Sequence, residues 1–279
     1  MNLPELIRQH GLRQGLRPQT IKTYTLCLQK FFRTTPKGFH ELNKSDVLNH
    51  LDRLTEKGAP GNTLNVYLNA FKFLYEQVLH RRLTVNLHFA KTRHRLPDFL
   101  TQEETLLLLA SIKNSKQRFM IRFLYSSGLR VSELIHLRVR DLQMDKSYGW
   151  VRDGKGGKDR PFILAQRLKG DLEKWISTNA LQIDSFLFTG YSDKPYSTSS
   201  IRAILNRAAR EVGMVKRVHP HLLRHSFATH LIENGYAVTE VQPLLGHSRL
   251  DTTMIYTHLA APALFRIASP LDSLPEKIN

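Results

Sequence analysis

The chain has 279 residues, 41% of them hydrophobic, which is enough for about two domains with apolar cores. No apolar run approaches the ~18 residues of a membrane span, and the single cysteine, Cys27, excludes an intramolecular disulfide. We therefore expect a protein of the reducing cytoplasm with no membrane segment. Tyr24 and Phe31 share an apolar helical pattern with Cys27, which predicts that the thiol lies in a core.

The balance of charge is strongly basic. Forty-one Lys and Arg residues against 24 Asp and Glu give a formal charge of +17 and a pI near 10.1. Such a balance favours a polyanion as partner, although a basic soluble or ribosome-associated protein would have it too. The positive charge is spread over the whole chain, so we expect both the amino-terminal and the carboxyl-terminal parts to contact nucleic acid.

Residues 1–88 predict a small domain built only of helices. Apolar residues recur at helical spacing over three segments, and Ser45 can cap the second. The segments are Gln19–Phe32, Ser45–Leu54 and Thr63–Leu79. No alternating pattern of strand type interrupts this region.

A basic linker is predicted over residues 89–97. The stretch from Gln77 to Pro97 has no acidic residue. It is either a solvent-exposed charged segment or an extended segment that lies along a phosphate backbone. We favour the second, because phosphate contacts give affinity that does not depend on the DNA sequence. The candidate DNA-binding residues are Arg81, Arg82, Lys91, Arg93 and Arg95.

A second domain is predicted over residues 98–279. Thr101 and Glu104 form a capping-box pattern at the start of a helix that runs to Ile112. Two more helices and three short strands follow, and the pattern is helical again from Arg167, with one helix starting at Pro220 and closing at Gly235. The helices are Lys116–Ser127 and Val131–Leu137, and the strands are Val139–Met144, Gly149–Asp153 and Arg160–Leu164. The fold class is therefore mainly α, a helical bundle plus a mixed α/β domain with a small three-stranded antiparallel sheet.

Six residues of the second domain could together attack a phosphodiester without a metal. Two arginines neutralise the phosphate, a tyrosine supplies the nucleophile, and two histidines and a lysine move protons. They are Arg130, Lys155, His221, Arg224, His247 and Tyr256. Each alone is better explained otherwise, as a surface arginine, a hairpin-tip lysine, a structural histidine or a core tyrosine. Lys158 competes with Lys155 in the same glycine-rich turn, and Glu133 is expected to support Arg130 as a partner one helical turn away.

Metal and cofactor sites have no sequence support. There is no cysteine pair, no His-Glu-x-x-His pattern and no glycine-rich loop of the type that holds a nucleoside triphosphate. We predict no cofactor and no metal.

The motifs around these residues resemble those of the tyrosine recombinase, or phage integrase, family, and are most similar to its Xer-like and integron-integrase-like branches. They occur in one order, as Gly-Leu-Arg-Val-Ser-Glu-Leu from Gly128, Gly-Lys-Gly-Gly-Lys-Asp-Arg from Gly154, His-Leu-Leu-Arg-His from His221, Leu-Leu-Gly-His-Ser from Leu244, and Tyr-Thr-His from Tyr256. The catalytic resemblance covers residues 97–261, and the first helical domain fits the family's core-binding domain.

The resemblance implies a function and a set of roles. Tyr256 attacks phosphorus and forms a 3′-phosphotyrosyl bond, Lys155 protonates the leaving 5′ oxygen, and His221 assists proton transfer at the tyrosine. Arg130, Arg224 and His247 contact the phosphate. The implied partner is a double-stranded DNA recombination site bound by a homotetramer, with the tail after Tyr256 exchanged between protomers. Pro243 departs from the expected pattern because it lies inside the helix before His247.

Two other functions share this sequence pattern. One is a type IB topoisomerase-like relaxase, which uses the same chemistry on one strand. The other is a non-catalytic DNA-binding regulator on the same fold, although all six candidate residues are present. The target sequence is not readable from the chain, nor is the choice between dimer resolution, integration, excision and transposon movement.

Overall fold

A computed structural model of the chain describes residues 2–39, 41–82, 98–152, 154, 159–190, 194–246 and 268–274. The chain forms two compact units, Met1–Arg95 and Leu96–Asn279. No helix in this described part is both long enough and apolar enough to span a membrane.

The amino-terminal unit is a helical bundle. Its helices are α1 (Leu3–Arg13), α2 (Pro18–Thr34), α3 (Lys44–Glu56) and α4 (Gly61–Lys72), and α4 continues into a π-helical turn over Phe73–Val78. Ile7, Leu28, Phe31 and Phe71 are fully buried in its core. Cys27 is also buried, as its apolar neighbours predict.

Three details of this bundle differ from the sequence predictions. The cap of α3 is Asn43 rather than Ser45, because the Asn43 side chain accepts the backbone N–H of Asp46, whose carboxylate accepts the backbone N–H of Asn43 in return. The helix predicted over residues 63–79 changes to π-type hydrogen bonding after Lys72. Helix α1 was not predicted, since glutamine, histidine and arginine interrupt its short apolar stripe.

The carboxyl-terminal unit is mainly helical, with one small sheet. The helices before the sheet are α5 (Gln102–Ser111), α6 (Ser115–Ser127) and α7 (Val131–His136). The helices after it are α8 (Lys169–Thr178), α9 (Thr198–Glu211), α10 (Pro220–Glu233), α11 (Val238–Leu245) and α12 (Pro270–Ser273). The predicted capping box of Thr101 and Glu104 is present at the start of α5. The predicted fold class is confirmed.

The sheet has three antiparallel strands, β1 (Leu142–Gln143), β2 (Tyr148–Val151) and β3 (Arg160–Ile163), in the order β1-β2-β3. Its register pairs Leu142 with Gly149 and Val151 with Arg160. The first strand is shorter than the prediction from Val139 to Met144, because Val139–Asp141 forms a 3₁₀ turn closed by the Asp141 carboxylate on the backbone N–H of Arg138.

Helix α10 runs through the core of this unit. Leu223, Phe227 and Leu231 have no exposed surface, and the helix packs against α6. Polar residues of the same helix are buried with them, among them Arg224, Ser226 and His230. The polar side chains on α10 are therefore held in fixed positions by the surrounding packing, which matters for the site described next.

Candidate active site

Arg130 lies at the amino-terminal end of α7, directly after the turn that separates α7 from α6. Gly128 ends α6 in the left-handed conformation, with φ of 60°, and Arg130 follows in extended backbone. Glu133 lies one turn into α7, and its carboxylate accepts the backbone N–H of Arg130 at 2.8 Å and Arg130 Nη1 at 2.7 Å. The turn and this double contact fix both the start of the helix and the direction of the guanidinium.

Helix α10 presents His221 and Arg224 to the same region. The helix begins at Pro220 as predicted, and the imidazole of His219 caps it by accepting the backbone N–H of Leu222 at Nδ1, 3.1 Å away. Arg224 is only 5% exposed. Its Nη1 donates to the carbonyl oxygen of Gly128, and its Nη2 donates to the carbonyl oxygen of Leu245.

Arg160, which the sequence reasoning did not single out, completes a cluster of three arginines. It is 6% exposed at the start of β3. Its Nη2 binds the same Glu133 oxygen that accepts the backbone N–H of Arg130. One signal was available, because strand alternation puts Arg160 on the same face as Phe162, and an arginine on a core-facing strand position predicts a buried ion pair.

The carboxyl end of α11 is bound by all three arginines. Arg160 donates to the carbonyl oxygen of Leu244, and both Arg130 and Arg224 donate to that of Leu245. Arg130 also donates to the carbonyl oxygen of Gly246 at 3.1 Å. These carbonyl groups carry the partial negative charge of a helix terminus, which partly compensates the guanidinium groups.

The cluster holds more positive than negative charge. Three guanidinium groups surround one carboxylate, that of Glu133, with Arg224 Nη1 3.9 Å from its Oε2. Burial and the neighbouring charges of Arg160 and Arg130 lower the pKa of Arg224 to about 9, so it stays protonated at neutral pH. Burial raises the pKa of Glu133, but Arg160 and Arg130 outweigh that effect and lower it below its ordinary value. A buried excess of fixed positive charge is suited to an anion.

Burial and nearby positive charge favour the neutral form of the two histidines beside the cluster, His221 and His225. Burial lowers the pKa of His221, and the charge of Arg224 lowers it further. The pKa of His225 is lowered in the same way, by burial and by Arg224. A neutral imidazole can accept a proton, so His221 is available as a base where an anion would meet the arginines.

Several predicted site residues lie outside the described part of the chain. Arg130, Glu133, His221 and Arg224 are brought together, as set out above. Arg81 and Arg82 are exposed at the end of the amino-terminal unit, where Arg81 Nη1 donates to the carbonyl oxygen of Leu42 at 3.4 Å. The residues outside the described ranges are Lys155, His247, Tyr256, Lys91, Arg93 and Arg95.

Two sequence expectations concerned the proline before His247 and the tail after Tyr256. Pro243 is the sixth residue of α11, beyond its first turn, yet the helix continues to a left-handed cap at Gly246. The predicted tail helix from Pro262 lies outside the described residues, but residues 268–274 pack on their own unit. Ser269 Oγ donates to the carbonyl oxygen of Ser126, and Asp272 accepts the backbone N–H groups of Gln166 and Arg167. Within the described ranges, no group of three or more His, Cys, Asp or Glu side chains could hold a metal ion.

Comparison with known proteins gives consistent matches over both units. The Phage integrase family matches residues 98–262, and the phage integrase N-terminal SAM-like domain matches residues 5–85. Tyrosine recombinase XerA of Pyrococcus horikoshii is 33% identical over 255 residues, covering 90% of this chain and 87% of the relative. Tyrosine recombinase XerD of Oceanobacillus iheyensis is 32% identical over 278 residues, covering 91% and 93%.

A solved structure shares the fold. The crystal structure of XerH site-specific recombinase, bound to a palindromic substrate in a post-cleavage complex, superposes with a TM-score of 0.69. It is 24% identical to this chain, and the match covers 95% of this chain and 83% of that one.

Proposed function

The chain belongs to the phage integrase family of tyrosine recombinases, and we propose that it cleaves and rejoins duplex DNA through Tyr256. It is an enzyme of the tyrosine-type site-specific recombinase class. The observation that carries the proposal is the buried excess of positive charge, in which Arg130 and Arg224 meet beside the neutral imidazole of His221. An arrangement of this kind fits a phosphate whose negative charge grows during the reaction.

The two arginines stabilise the transition state of the proposed reaction. Attack on phosphorus makes a pentacoordinate species with added charge on its non-bridging oxygens, and planar guanidinium groups suit such oxygens. In the free protein, Arg130 and Arg224 donate to the carbonyl oxygens of Leu245 and Gly246. Phosphate oxygens would replace these carbonyl partners when DNA binds, so the donors are already held in place.

Protons and bonds balance in the proposed step. The Tyr256 oxygen attacks phosphorus and passes its proton to neutral His221, while the bond to the 5′ oxygen breaks and Lys155 protonates that oxygen. His247 donates a hydrogen bond to the phosphate. The product is a 3′-phosphotyrosyl bond and a free 5′ hydroxyl. Because the phosphoester bond is conserved on the enzyme, a 5′ hydroxyl from another strand reverses the step without ATP and without a cofactor.

DNA is the proposed substrate for both units. The chain is strongly basic, the XerH site-specific recombinase is bound to a palindromic substrate, and the similar Tn1549 transposon integrase is in complex with transposon right end DNA. We propose that a basic linker at residues 89–97 joins domains at residues 1–88 and 98–279. Phosphate contacts come from Arg81, Arg82, Lys91, Arg93 and Arg95. The single buried cysteine fits a cytoplasmic site of action.

We further propose a homotetramer on two DNA sites, assembled by exchange of the tail after Tyr256 between protomers. A head-to-tail contact of this kind closes into a ring when its rotation allows. Residues 268–274 pack on their own unit in the free chain. Exchange therefore either releases this contact or uses other residues of the tail.

Two alternatives remain distinguishable by experiment. A relaxase would form the covalent bond but would not exchange strands between two DNA molecules. A non-catalytic regulator would bind DNA in a salt-sensitive way and form no covalent bond.

The first test is covalent trapping. The purified protein is incubated with a pool of nicked suicide duplexes, and denaturant-resistant protein–DNA adducts are compared with those of Tyr256→Phe. We expect adducts from the wild type only, and sequencing of the trapped DNA gives the site. An adduct that survives in Tyr256→Phe contradicts the assignment of the nucleophile. Tight binding without an adduct in either protein contradicts cleavage by this chain alone.

A further inference from the structure

We propose that Arg160 is a positioning residue that keeps Arg130 and Arg224 free to bind the scissile phosphate. The inference rests on the proposed function and extends it to a residue that touches neither the phosphate nor the nucleophile in that scheme. Arg160 acts through two other groups, the carboxylate of Glu133 and the last turn of α11.

Arg160 competes with Arg224 for one carboxylate oxygen. Its Nη2 lies 2.5 Å from Glu133 Oε2, while Arg224 Nη1 is 3.9 Å from the same oxygen. The Arg224 distance is close enough for attraction and too far for a hydrogen bond. If Arg160 is removed, Glu133 Oε2 keeps the backbone N–H of Arg130 but loses its charged partner, and Arg224 Nη1 is then the nearest guanidinium nitrogen that can take that place. Arg224 would then be drawn away from the phosphate.

Arg160 also contacts the last turn of α11. It donates to the carbonyl oxygen of Leu244, and the stem of its side chain lies directly against Gly246. A Cβ atom at Gly246 would lie 2.6 Å from Arg160 Cδ, which shows how closely the two are packed. The same turn of α11 carries the carbonyl oxygens that hold Arg130 and Arg224. The position of this turn, and hence of both guanidinium groups, depends on Arg160.

Lysine could not serve both contacts. One planar guanidinium reaches the Glu133 carboxylate with Nη2 and the Leu244 carbonyl oxygen with Nη1, as a rigid fork. Arg160 Nε is buried and has no hydrogen-bond partner among the described residues. A site that buries a polar atom without a partner is held by its other contacts, which fits a residue whose role is to fix geometry.

The first test measures anion binding without DNA. Sulfate is titrated against the thermal unfolding of four proteins, namely wild type, Arg160→Met, the double variant Glu133→Gln/Arg160→Met, and Tyr125→Phe. Anion binding raises the unfolding temperature by linkage. Tyr125→Phe is the control for lost stability, because it removes a buried hydrogen bond to His230 Nδ1 that joins α6 and α10.

The result expected is specific to a positioning role. Arg160→Met weakens sulfate binding by about tenfold, as for loss of one charge-assisted hydrogen bond. The double variant partly restores it, because a neutral amide in place of the Glu133 carboxylate no longer attracts Arg224. Tyr125→Phe unfolds at a lower temperature and keeps the sulfate-dependent shift of the wild type. A sulfate response that Arg160→Met leaves unchanged, or that the double variant does not improve, overturns the proposal.

The second test uses covalent trapping on two substrates. One duplex has the ordinary scissile phosphate, and the other has a methylphosphonate there, which lacks one charged oxygen. Misplaced arginines should slow adduct formation by Arg160→Met about tenfold more on the phosphate than on the methylphosphonate. Loss of folded protein would slow both equally, and that result refutes a positioning role. If the wild type binds sulfate as expected but traps no DNA, the proposed function fails, and the sulfate titration still decides whether Arg160 positions the two arginines for an anion.

Discussion

Gly128→Ala tests whether the turn before Arg130 is held by the core beneath it. Gly128 has a φ of 60°, which side chains other than glycine rarely adopt. A Cβ atom there would lie 2.5 Å from Phe227 Cε1 and closer still to Cδ1. Phe227 is fully buried on α10 and cannot move aside without displacing its neighbours.

The size of the effect follows from two separate costs. The left-handed conformation costs about 1–2 kcal/mol for alanine, and overpacking a closed core costs about 1–3 kcal/mol more. The sum of about 2–5 kcal/mol lowers the unfolding temperature by about 4–20 °C in a domain of this size. Since Arg224 donates to the carbonyl oxygen of Gly128, covalent trapping of DNA should fall as well.

Calorimetry with a matched glycine separates the two costs. Gly213 has a φ of 63°, and nothing lies within 4 Å of a Cβ built on it. Gly213→Ala should therefore show only the backbone cost of about 1–2 kcal/mol. The double variant Gly128→Ala/Phe227→Leu should unfold at a higher temperature than Gly128→Ala alone. Equal unfolding temperatures for Gly128→Ala and Gly213→Ala would refute the reasoning.

The remaining predictions concern the cap of α10, the charge of its histidines and the tail. His219→Ala should lower the free energy of unfolding in urea by about 1 kcal/mol. His219→Ser should not, because its hydroxyl can accept the backbone N–H of Leu222. Equal losses of stability in the two variants would argue against a capping role. The pKa of His221 is lowered by folding. The unfolded chain therefore takes up protons first as pH falls below about 6.5. The contribution of neutral His221 to the free energy of unfolding is therefore complete above this pH and decreases as the pH falls toward the pKa of the folded state. His221→Gln should reduce the change in the free energy of unfolding, measured in urea, between about pH 7.5 and 5.5. Asp272→Asn should weaken the contacts to the backbone N–H groups of Gln166 and Arg167 and speed limited proteolysis of the tail, measured by mass spectrometry. An unchanged cleavage rate would show that the buried side chains of Leu271 and Leu274 suffice to hold the tail on its unit.

Much of the fold is predictable from local pattern. The apolar spacing of α2, the Thr101 capping box of α5 and the proline at the start of α10 each encode a boundary within a few residues in sequence. The prediction of a strand at Val139 was wrong over its first part because the Asp141 carboxylate reaches back to a nearby N–H and favours a 3₁₀ turn. That choice depends on a side-chain contact that alternation alone does not show.

The site was less predictable than the fold. Motif order identified Arg130, Glu133, His221 and Arg224 as candidates. It did not reveal Arg160 as the third cation, because its partner Glu133 is 27 residues away in sequence. Nor could it show that three arginines bind the end of α11, since backbone carbonyl oxygens are present at every position and only the tertiary structure selects three of them.

The anchors on either side of Tyr256 set a limit on where that tyrosine can act. Gly246 is bound by Arg130 on one side, and Ser269 is bound to the carbonyl oxygen of Ser126 on the other. A fully extended chain of about ten residues, the separation of Gly246 and Tyr256 in sequence, spans at most about 36 Å. If Tyr256 is the nucleophile, as proposed, it has to reach the phosphate within that length. A tether that short gives an effective concentration of about millimolar or more. If the proposed tetramer delivered Tyr256 to a neighbouring protomer instead, the contacts between protomers would have to offset this local advantage.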